Sequence, residues 1–346
     1  NISYAILYTR LLSHNREISA KTKIAVFKTV LVNVQLSTKN NDQPNTINEI
    51  VKHWSNKFEH EGISEPVESI EHILAHVLGT KKIMDLADFP DQKLSEDQIT
   101  RLESLCECRM SRMPVQYIIR EWDFRDITLR MVPPVFIPRP ETEILVDIIL
   151  SRLASMKKNE FKILDIGCGS GAISLALVHA NSKIHCTSID KSLHACDLTR
   201  YNAETLGLRD NLRILNAVLR ENGTIKFVKS IESAAEFEET QFDAIVSNPP
   251  YIPTAKLVNL APEIRIYEDL RALDGGKDGL NLVKAVMKYA SKALVNEGLL
   301  FMEVDQTHPE YIEFFTKKYP DFKLRHQHTY KDYCNNDRFV ELSKLD

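Results

Sequence analysis

Hydrophobic and polar positions follow two different spacings along this chain of 346 residues. Between residues 46 and 113 the apolar side chains recur every three or four positions, which predicts amphipathic helices. Two capping boxes and a proline in a first turn predict where three of these helices begin. Those start signals are Thr46 with Glu49, Ser95 with Gln98, and Pro66. The segment is therefore predicted to be a small helical bundle, and none of its side chains suggests catalysis.

After residue 159 short apolar runs alternate with helical or loop segments, which is typical of a parallel, doubly wound sheet. Alternating apolar residues from 122 to 131 predict a β-hairpin before that sheet, and the stretches 322–329 and 338–343 predict a closing strand pair. The fold class is therefore predicted to be α/β with an N-terminal helical bundle. The predicted parallel strands are 161–166, 183–190, 211–218, 242–247 and 298–304.

These patterns divide the chain into four segments. The N-terminal segment carries six basic residues and one acidic residue, Glu17, between residues 1 and 41, which is typical of an organellar transit peptide. An ordinary helix with a basic face is the other interpretation of that composition. The four segments are a leader or transit peptide (1–45), a helical domain (46–116), a β-hairpin linker (117–136) and an α/β domain (137–346).

The sequence Asn248-Pro249-Pro250-Tyr251 comes directly after a predicted buried strand, at the end of a strand where α/β sheets bind ligands. The Asn248 side-chain carbonyl and the Pro249 main-chain carbonyl can both accept hydrogen bonds from one planar NH2 group. Tyr251 can stack on the face of that group, and Pro250 restricts Pro249 to an extended conformation. The motif therefore predicts a site for a substrate nitrogen. A simple turn is the alternative, because Asn-Pro often initiates turns.

A glycine-rich loop follows the first predicted parallel strand and opens a helix, where glycines let the backbone approach a ligand. Asp190, at the end of the next strand, is placed to accept hydrogen bonds from ribose hydroxyls. The same pattern also fits a dinucleotide-binding enzyme. Asp165 favours a ligand with an amino-acid moiety over a dinucleotide, because a carboxylate suits an ammonium group better than a pyrophosphate. The loop residues are Asp165, Gly167, Cys168, Gly169, Ser170 and Gly171.

Arg139 stands between two prolines, in a stiff loop before a helix that begins at Glu141. It either pairs with a nearby carboxylate or lines the active site, and the sequence leaves both roles open.

Composition narrows the function classes. Hydrophobic residues make up 43% of the chain and charged residues 27%, as in ordinary globular proteins, and no apolar run approaches the roughly 18 residues of a membrane span. A net charge of -4 gives no general attraction to nucleic acid. The six cysteines form no CxxC pair, and Cys106 and Cys108 are predicted to be packing residues. We therefore expect no metal, no membrane and no direct nucleic-acid partner.

The glycine loop, Asp190 and Asn248–Tyr251 together resemble a class I S-adenosylmethionine-dependent methyltransferase acting on an amide or amino nitrogen. Three further motifs resemble the HemK (PrmC) family, protein glutamine N5-methyltransferases that modify the Gln of the Gly-Gly-Gln motif in peptide chain release factors. The resemblance covers roughly residues 46 to 343. The three motifs are Ile137–Glu143, Pro262–Glu268 and Ala272–Gly279.

The resemblance implies a Rossmann-like catalytic domain (137–346), a substrate-binding helical domain (46–116), and a class I release factor as partner. It implies S-adenosylmethionine as cofactor, S-adenosylhomocysteine as product, and, with the basic leader, a mitochondrial location, otherwise a cytoplasmic one. The glycine loop from Asp165 to Gly171, Asp190, Leu219 and Asn248 would contact the cofactor. Asn248, Pro249, Pro250 and Tyr251 would be catalytic and, with Arg139, would hold the substrate.

Two positions depart from the family's pattern. The family usually has an acid after the third strand, near the adenine, whereas this chain has Ala217-Val218-Leu219. Adenine would therefore rest on apolar contacts and main-chain groups. Asp269 follows Glu268 where the family favours proline.

Three rival functions remain at this stage. A DNA or RNA amino-methyltransferase could use Asn-Pro-Pro-Tyr on a flipped base, although it would ordinarily bring a basic recognition domain. A non-catalytic binding module would keep the fold and lose the chemistry, against which the intact Gly167, Asp190 and Asn248 argue. A dehydrogenase is the third rival. Measuring whether S-adenosylmethionine or NAD raises the melting temperature would distinguish a methyltransferase from a dehydrogenase.

Overall fold

A computed structural model describes residues 44–80, 86, 88–228 and 234–346. The predicted transit peptide lies almost wholly outside these residues and stays a prediction. All elements named below belong to the contact unit Asn45–Asp346.

Four helices in the described residues before residue 120 share one hydrophobic core. Both predicted capping boxes are present, because Thr46 and Ser95 each accept from the N3 amide while Glu49 and Gln98 accept from the cap amide. α2 ends at Gly79, whose φ of +74° is the left-handed conformation that glycine adopts at low cost. Cys106 is buried in this core and Cys108 packs against it, as predicted. The helices are α1 (Ile47–His60), α2 (Pro66–Leu78), α3 (Glu96–Met110) and α4 (Val115–Ile119).

A two-stranded hairpin, β1 (Glu121–Phe124) and β2 (Ile127–Arg130), follows α4. Its buried residues Phe124, Ile127 and Leu129 pack into the core of the α/β part. Trp122 packs against the same core and also meets His72 of α2, with their ring centroids 4.9 Å apart. The hairpin therefore contacts both the helical bundle and the α/β part.

An eight-stranded sheet carries the rest of the described chain, in the order β6-β5-β4-β3-β7-β8-β10-β9. Its centre, from β5 to β8, is parallel, while β6, β9 and β10 run antiparallel to their neighbours. The strands are β3 (Phe161–Ile166), β4 (Ile184–Asp190), β5 (Leu212–Leu219), β6 (Ile225–Phe227), β7 (Phe242–Ser247), β8 (Leu294–Glu303), β9 (Leu324–Lys331) and β10 (Asp337–Lys344).

Helices cover both faces of this sheet. Successive side chains of β3 face opposite sides, so that Ile163 lies in one hydrophobic core and Leu164 and Ile166 lie in another. The double burial explains why the central strands are nearly continuous apolar runs. The predicted α/β, doubly wound fold with an N-terminal helical region is confirmed. The helices are α5 (Glu141–Ala154), α6 (Ala172–Ala180), α7 (Leu193–Thr205), α8 (Ala234–Glu239), α9 (Pro262–Tyr267), α10 (Asn281–Ala293) and α11 (Pro309–Lys318).

The strand order reverses between β3 and β7. From β3 the chain proceeds outward to β4 and β5, and it then returns to place β7 and β8 on the other side of β3. The Ser247 hydroxyl donates to the Ile166 carbonyl over 2.7 Å and ties the two strand ends together. A crevice at such a reversal is where open α/β sheets bind ligands.

Candidate functional site

A cavity of about 270 Å³ opens at the carboxyl ends of β3, β4, β5 and β7. Residues of all four strand ends contribute to its wall, and a loop at residues 134–136 also lines it. Most of the predicted site residues lie on this wall. They are Gly167, Gly169, Asp190, Leu219, Asn248, Pro249, Pro250 and Tyr251.

The glycine loop has a backbone that other residues would strain. Gly167, Gly169 and Gly171 have φ angles of +85°, +58° and +85°. A Cβ built on Gly171 would come within 2.8 Å of Leu175 and Thr199, so this glycine is also required by packing. A Cβ on Gly167 or Gly169 would meet no atom within 4 Å. The backbone of these two cavity-lining glycines is therefore open to close approach by a ligand.

Asp190 closes the loop from the side of β4. One carboxylate oxygen accepts from the Gly169 amide over 3.1 Å, and the other accepts from the Ser192 amide over 2.7 Å. Burial raises the pKa of Asp190, while the hydrogen bonds from Ser192 and Gly169 oppose that rise. Since an ionised carboxylate offers about four acceptor positions, two remain for a ligand in the cavity.

The other loop residues lie behind the cavity wall rather than on it. Asp165 is wholly buried, and neither of its oxygens has a hydrogen-bond partner of good geometry among the described residues. Burial raises the pKa of Asp165 to about 7, against an opposing contribution from Ser174. Cys168 accepts from the Thr199 hydroxyl over 3.4 Å, and the Ser170 carbonyl accepts from Asn202. These residues shape the loop from beneath.

Asn248–Tyr251 also lines the cavity, directly after β7. The loop after it is held by Ile252, whose amide donates to the Leu273 carbonyl and whose carbonyl accepts from the Gly275 amide. A Cβ on Gly279 would lie 2.3 Å from the Tyr251 carbonyl oxygen, so only glycine fits there. The glycine-rich segment 274–279 thus packs against the backbone of Asn248–Tyr251, the predicted substrate clamp.

Two side chains that were not among the predicted site residues contact Asn248 and Tyr251 from outside the cavity wall. Thr142, in the first turn of α5, accepts a hydrogen bond from Asn248 Nδ2 over 3.3 Å and donates to Glu303 Oε2 over 2.7 Å. The Tyr251 hydroxyl donates to the other oxygen, Glu303 Oε1, over 3.3 Å. Glu303 is 1% exposed and ends β8, so a buried acid at the carboxyl end of a predicted strand was the available signal.

Burial and neighbouring charges shift the pKa values of Glu303 and Tyr251. Burial raises the pKa of Glu303, and the Thr142 hydrogen bond and the positive charge of Arg338 oppose the rise. Burial and then the negative charge of Glu303 raise the pKa of Tyr251, which remains a neutral phenol and a donor. Arg338 lies over the Tyr251 ring, 5.4 Å from its centroid.

Arg139 forms an ion pair and is not part of the cavity wall. Its Nη2 lies 2.8 Å from Glu268 Oε1, and its guanidinium lies over the Phe136 ring, 4.6 Å from the centroid. Glu268 is buried and its other oxygen accepts from the Ile137 amide. Of the two roles that the sequence left open, the structure shows the pairing with a carboxylate.

The loop at residues 134–136 is held by hydrogen bonds from two other parts of the chain. The Tyr117 hydroxyl of α4 donates to the Val135 carbonyl over 2.6 Å, and the Asp269 amide donates to the Pro134 carbonyl over 2.8 Å. Pro134, Val135 and Phe136 all line the cavity. The last helix of the bundle is therefore hydrogen-bonded directly to a loop that lines the cavity.

In the part of the chain that the structure describes, no group of three or more His, Cys, Asp or Glu side chains is placed to hold a metal ion. No helix of that part is both long enough and apolar enough to cross a membrane.

Comparison with known proteins gives two domain matches and several relatives. Residues 49–119 match the PrmC N-terminal domain, and residues 141–264 match the methyltransferase small domain. The human MTRF1L release factor glutamine methyltransferase is 40% identical over 302 residues, covering 86% of this chain and 87% of the human protein. The release factor glutamine methyltransferase of Thermodesulfovibrio yellowstonii is 35% identical, covering 69% of this chain and 80% of its own length. That of Caulobacter vibrioides is 32% identical, covering 84% and 95%.

Proposed function

The chain belongs to the family of release factor glutamine methyltransferases, and from this premise we propose that it methylates the side-chain nitrogen of the glutamine in the Gly-Gly-Gln motif of a peptide chain release factor. One observation carries the proposal. Asn248–Tyr251 and the glycine loop with Asp190 line the same cavity, at the reversal of strand order. A clamp for a planar NH2 group therefore faces the groups expected to hold a methyl donor.

The cavity wall fits S-adenosylmethionine. The open backbone of Gly167 and Gly169 accepts close approach, and Asp190 retains acceptor positions for ribose hydroxyls. Ala217, Val218 and Leu219 offer an apolar strip for an adenine ring at the end of β5. When bound, S-adenosylmethionine supplies an electrophilic methyl group and leaves as S-adenosylhomocysteine.

Asn248 and Pro249 compensate for the weak nucleophilicity of an amide by orienting its nitrogen. The lone pair of a glutamine nitrogen is delocalised into its carbonyl, so the nitrogen attacks only when it is held in line. Asn248 Oδ1 and the Pro249 carbonyl accept from its two N–H groups, which fixes its orientation. The same two dipoles stabilise the positive charge that develops on the nitrogen. Asn248 does not titrate, so the proton is lost to water after the transfer.

We propose that the helical domain holds the body of the release factor while its loop enters the cavity. Arg109 and Arg112 of the bundle share Glu263 of α9, at 3.1 and 3.3 Å, and the Tyr267 hydroxyl donates to the Ser111 carbonyl. This contact fixes the bundle beside the segment that follows Asn248–Tyr251. The arrangement supports one continuous substrate surface.

A mitochondrial location is also proposed, on the basic composition of residues 1–41. Imaging of a C-terminally tagged chain tests it, because replacing the six basic residues of this segment with glutamine should abolish co-localisation with mitochondria. Unchanged co-localisation would contradict the proposal.

Methyl transfer to an intact release factor tests the main proposal. Labelled S-adenosylmethionine should place label on the factor, and a factor whose Gly-Gly-Gln glutamine is replaced by alanine should take none. Equal labelling of both factors would reject the proposed target.

A further inference from the structure

We propose that Glu303 and Thr142 are positioning residues that set the direction of the Asn248 amide, so that its carbonyl oxygen and not its NH2 group faces the substrate. The inference rests on the proposed function of Asn248 as an acceptor for a substrate NH2 group. It adds two residues to that function, neither of which lines the cavity.

The need for such a device follows from the shape of the asparagine side chain. The two ends of its amide are similar in size, yet one end is an acceptor and the other a donor of two hydrogen bonds. An Asn248 turned by half a rotation would present N–H groups to the substrate N–H groups and could not bind them. Shape alone does not select between the two orientations, so a hydrogen bond behind the amide has to do it.

Thr142 supplies that selection because its hydroxyl has a single proton. That proton is donated to Glu303 Oε2 over 2.7 Å, which leaves only lone pairs on the oxygen that faces Asn248, 3.3 Å from Nδ2. An Asn248 carbonyl in the same place would meet an oxygen with no proton to give. Only the orientation with Nδ2 toward Thr142 therefore makes a hydrogen bond, and in that orientation Oδ1 points away from Thr142, toward the substrate.

Glu303 in turn fixes the direction of the Thr142 proton. An ionised carboxylate accepts only, and the two Glu303 oxygens receive one hydroxyl each, from Thr142 and Tyr251. At 1% exposure for Glu303 and 3% for Thr142, water has little access to substitute for either partner. Burial raises the pKa of Glu303, whereas the Thr142 hydrogen bond, the Arg338 charge and the Tyr251 hydrogen bond favour its ionised form. One buried acid thus holds both ends of the clamp, Tyr251 directly and Asn248 through Thr142.

The test compares Thr142→Val with Thr142→Ser in the full chain, using S-adenosylmethionine and a Gly-Gly-Gln peptide. Valine keeps the shape and removes the hydroxyl, whereas serine keeps the hydroxyl and loses a methyl group. We expect kcat to fall by about tenfold in the valine variant, the loss of about one well-placed hydrogen bond, and to stay within about threefold of the parent in the serine variant. Calorimetric affinity for S-adenosylmethionine should be unchanged in both.

A role in packing alone gives a different result. It would lower kcat in the serine variant as much as in the valine variant, or leave the valine variant within about twofold of the parent, and either outcome overturns the inference. Glu303→Gln provides a second measurement, because its NH2 group can donate to Thr142 and reverse the direction of that proton. Its kcat should fall at least as far as that of the valine variant, and parental kcat contradicts the inference. If the parent itself leaves the peptide glutamine unmethylated, the proposed function fails instead.

Discussion

Replacing Asn248 with alanine tests the clamp most sharply among single substitutions. The change removes one acceptor that is already oriented toward the substrate, and the loss of one such group typically lowers kcat by about 100-fold to 1000-fold. Its effect on folding should be small, because the Asn248 side chain makes one hydrogen bond in the structure, at 3.3 Å to Thr142. A bond of that kind contributes about 0.5–1.5 kcal/mol to the free energy of unfolding.

The assay is steady-state methylation of a Gly-Gly-Gln peptide, with urea unfolding and cofactor calorimetry on the same preparations. Asn211→Ala is the matched control. The Asn211 side-chain amide also donates hydrogen bonds, in its case to the carbonyls of Ser182 and Ile184. It precedes β5 and so lies at the amino end of that strand, whereas the cavity opens at the carboxyl ends of the strands. The control should lose comparable stability and keep its kcat. If Asn248→Ala retains kcat within a few-fold of the parent, Asn248 is only a turn residue and the account of the clamp is wrong.

Three further predictions concern the cofactor site, the buried acid and the substrate surface. Asp190→Ala should weaken S-adenosylmethionine binding by about 100-fold or more, since two charge-assisted hydrogen bonds of about 1.5–3 kcal/mol each are lost, and unchanged calorimetric affinity would reject the assignment. The pKa of Asp165 is raised from 3.8 to about 7, so the folded state binds the extra proton and loses stability as pH rises through that window. The stability of Asp165→Asn relative to the parent should therefore increase between about pH 4 and 7 and level off above, and a difference that does not vary with pH in urea unfolding refutes this. Val258 and Ile266, 68% and 62% exposed beside the contact between bundle and α9, should contact the release factor. Changing both to aspartate should raise KM for the intact factor and leave KM for the peptide unchanged, whereas equal increases would mean that they do not take part in docking.

The local sequence signals predicted most of the fold because they act over short distances. Both capping boxes, the start of α2 at Pro66, and the strands Phe161–Ile166 and Phe242–Ser247 are found at the predicted residues. β8 begins earlier than predicted, at Leu294, where the sequence has the polar residues Asn296 and Glu297. The short strand β6 was not predicted, since its three residues carry too little pattern to distinguish them from a loop.

The site was predictable where a motif stands at a strand end, and not where the partners are distant in sequence. Gly167, Gly169, Asp190 and Asn248 all reach the cavity wall because three strands end there. Thr142 and Glu303 are 161 positions apart and meet only through the sheet order, so no local pattern joins them. Likewise, the burial of Asp165 behind the loop follows from which face of β3 it occupies, and the motif alone does not give that face. The assigned roles of these residues and the domain boundaries stay predictions until the variants are measured.

The reaction proposed for this chain is methylation of a release factor on the side-chain nitrogen of one glutamine. Mass spectrometry of a release factor, digested after incubation with the full chain and S-adenosylmethionine, tests it most directly. We expect a single added methyl group, located by fragmentation on the glutamine of the Gly-Gly-Gln motif, and its loss with Asn248→Ala. An unmodified glutamine in the presence of active cofactor turnover, or methyl transfer to adenine in DNA or RNA instead, would contradict it.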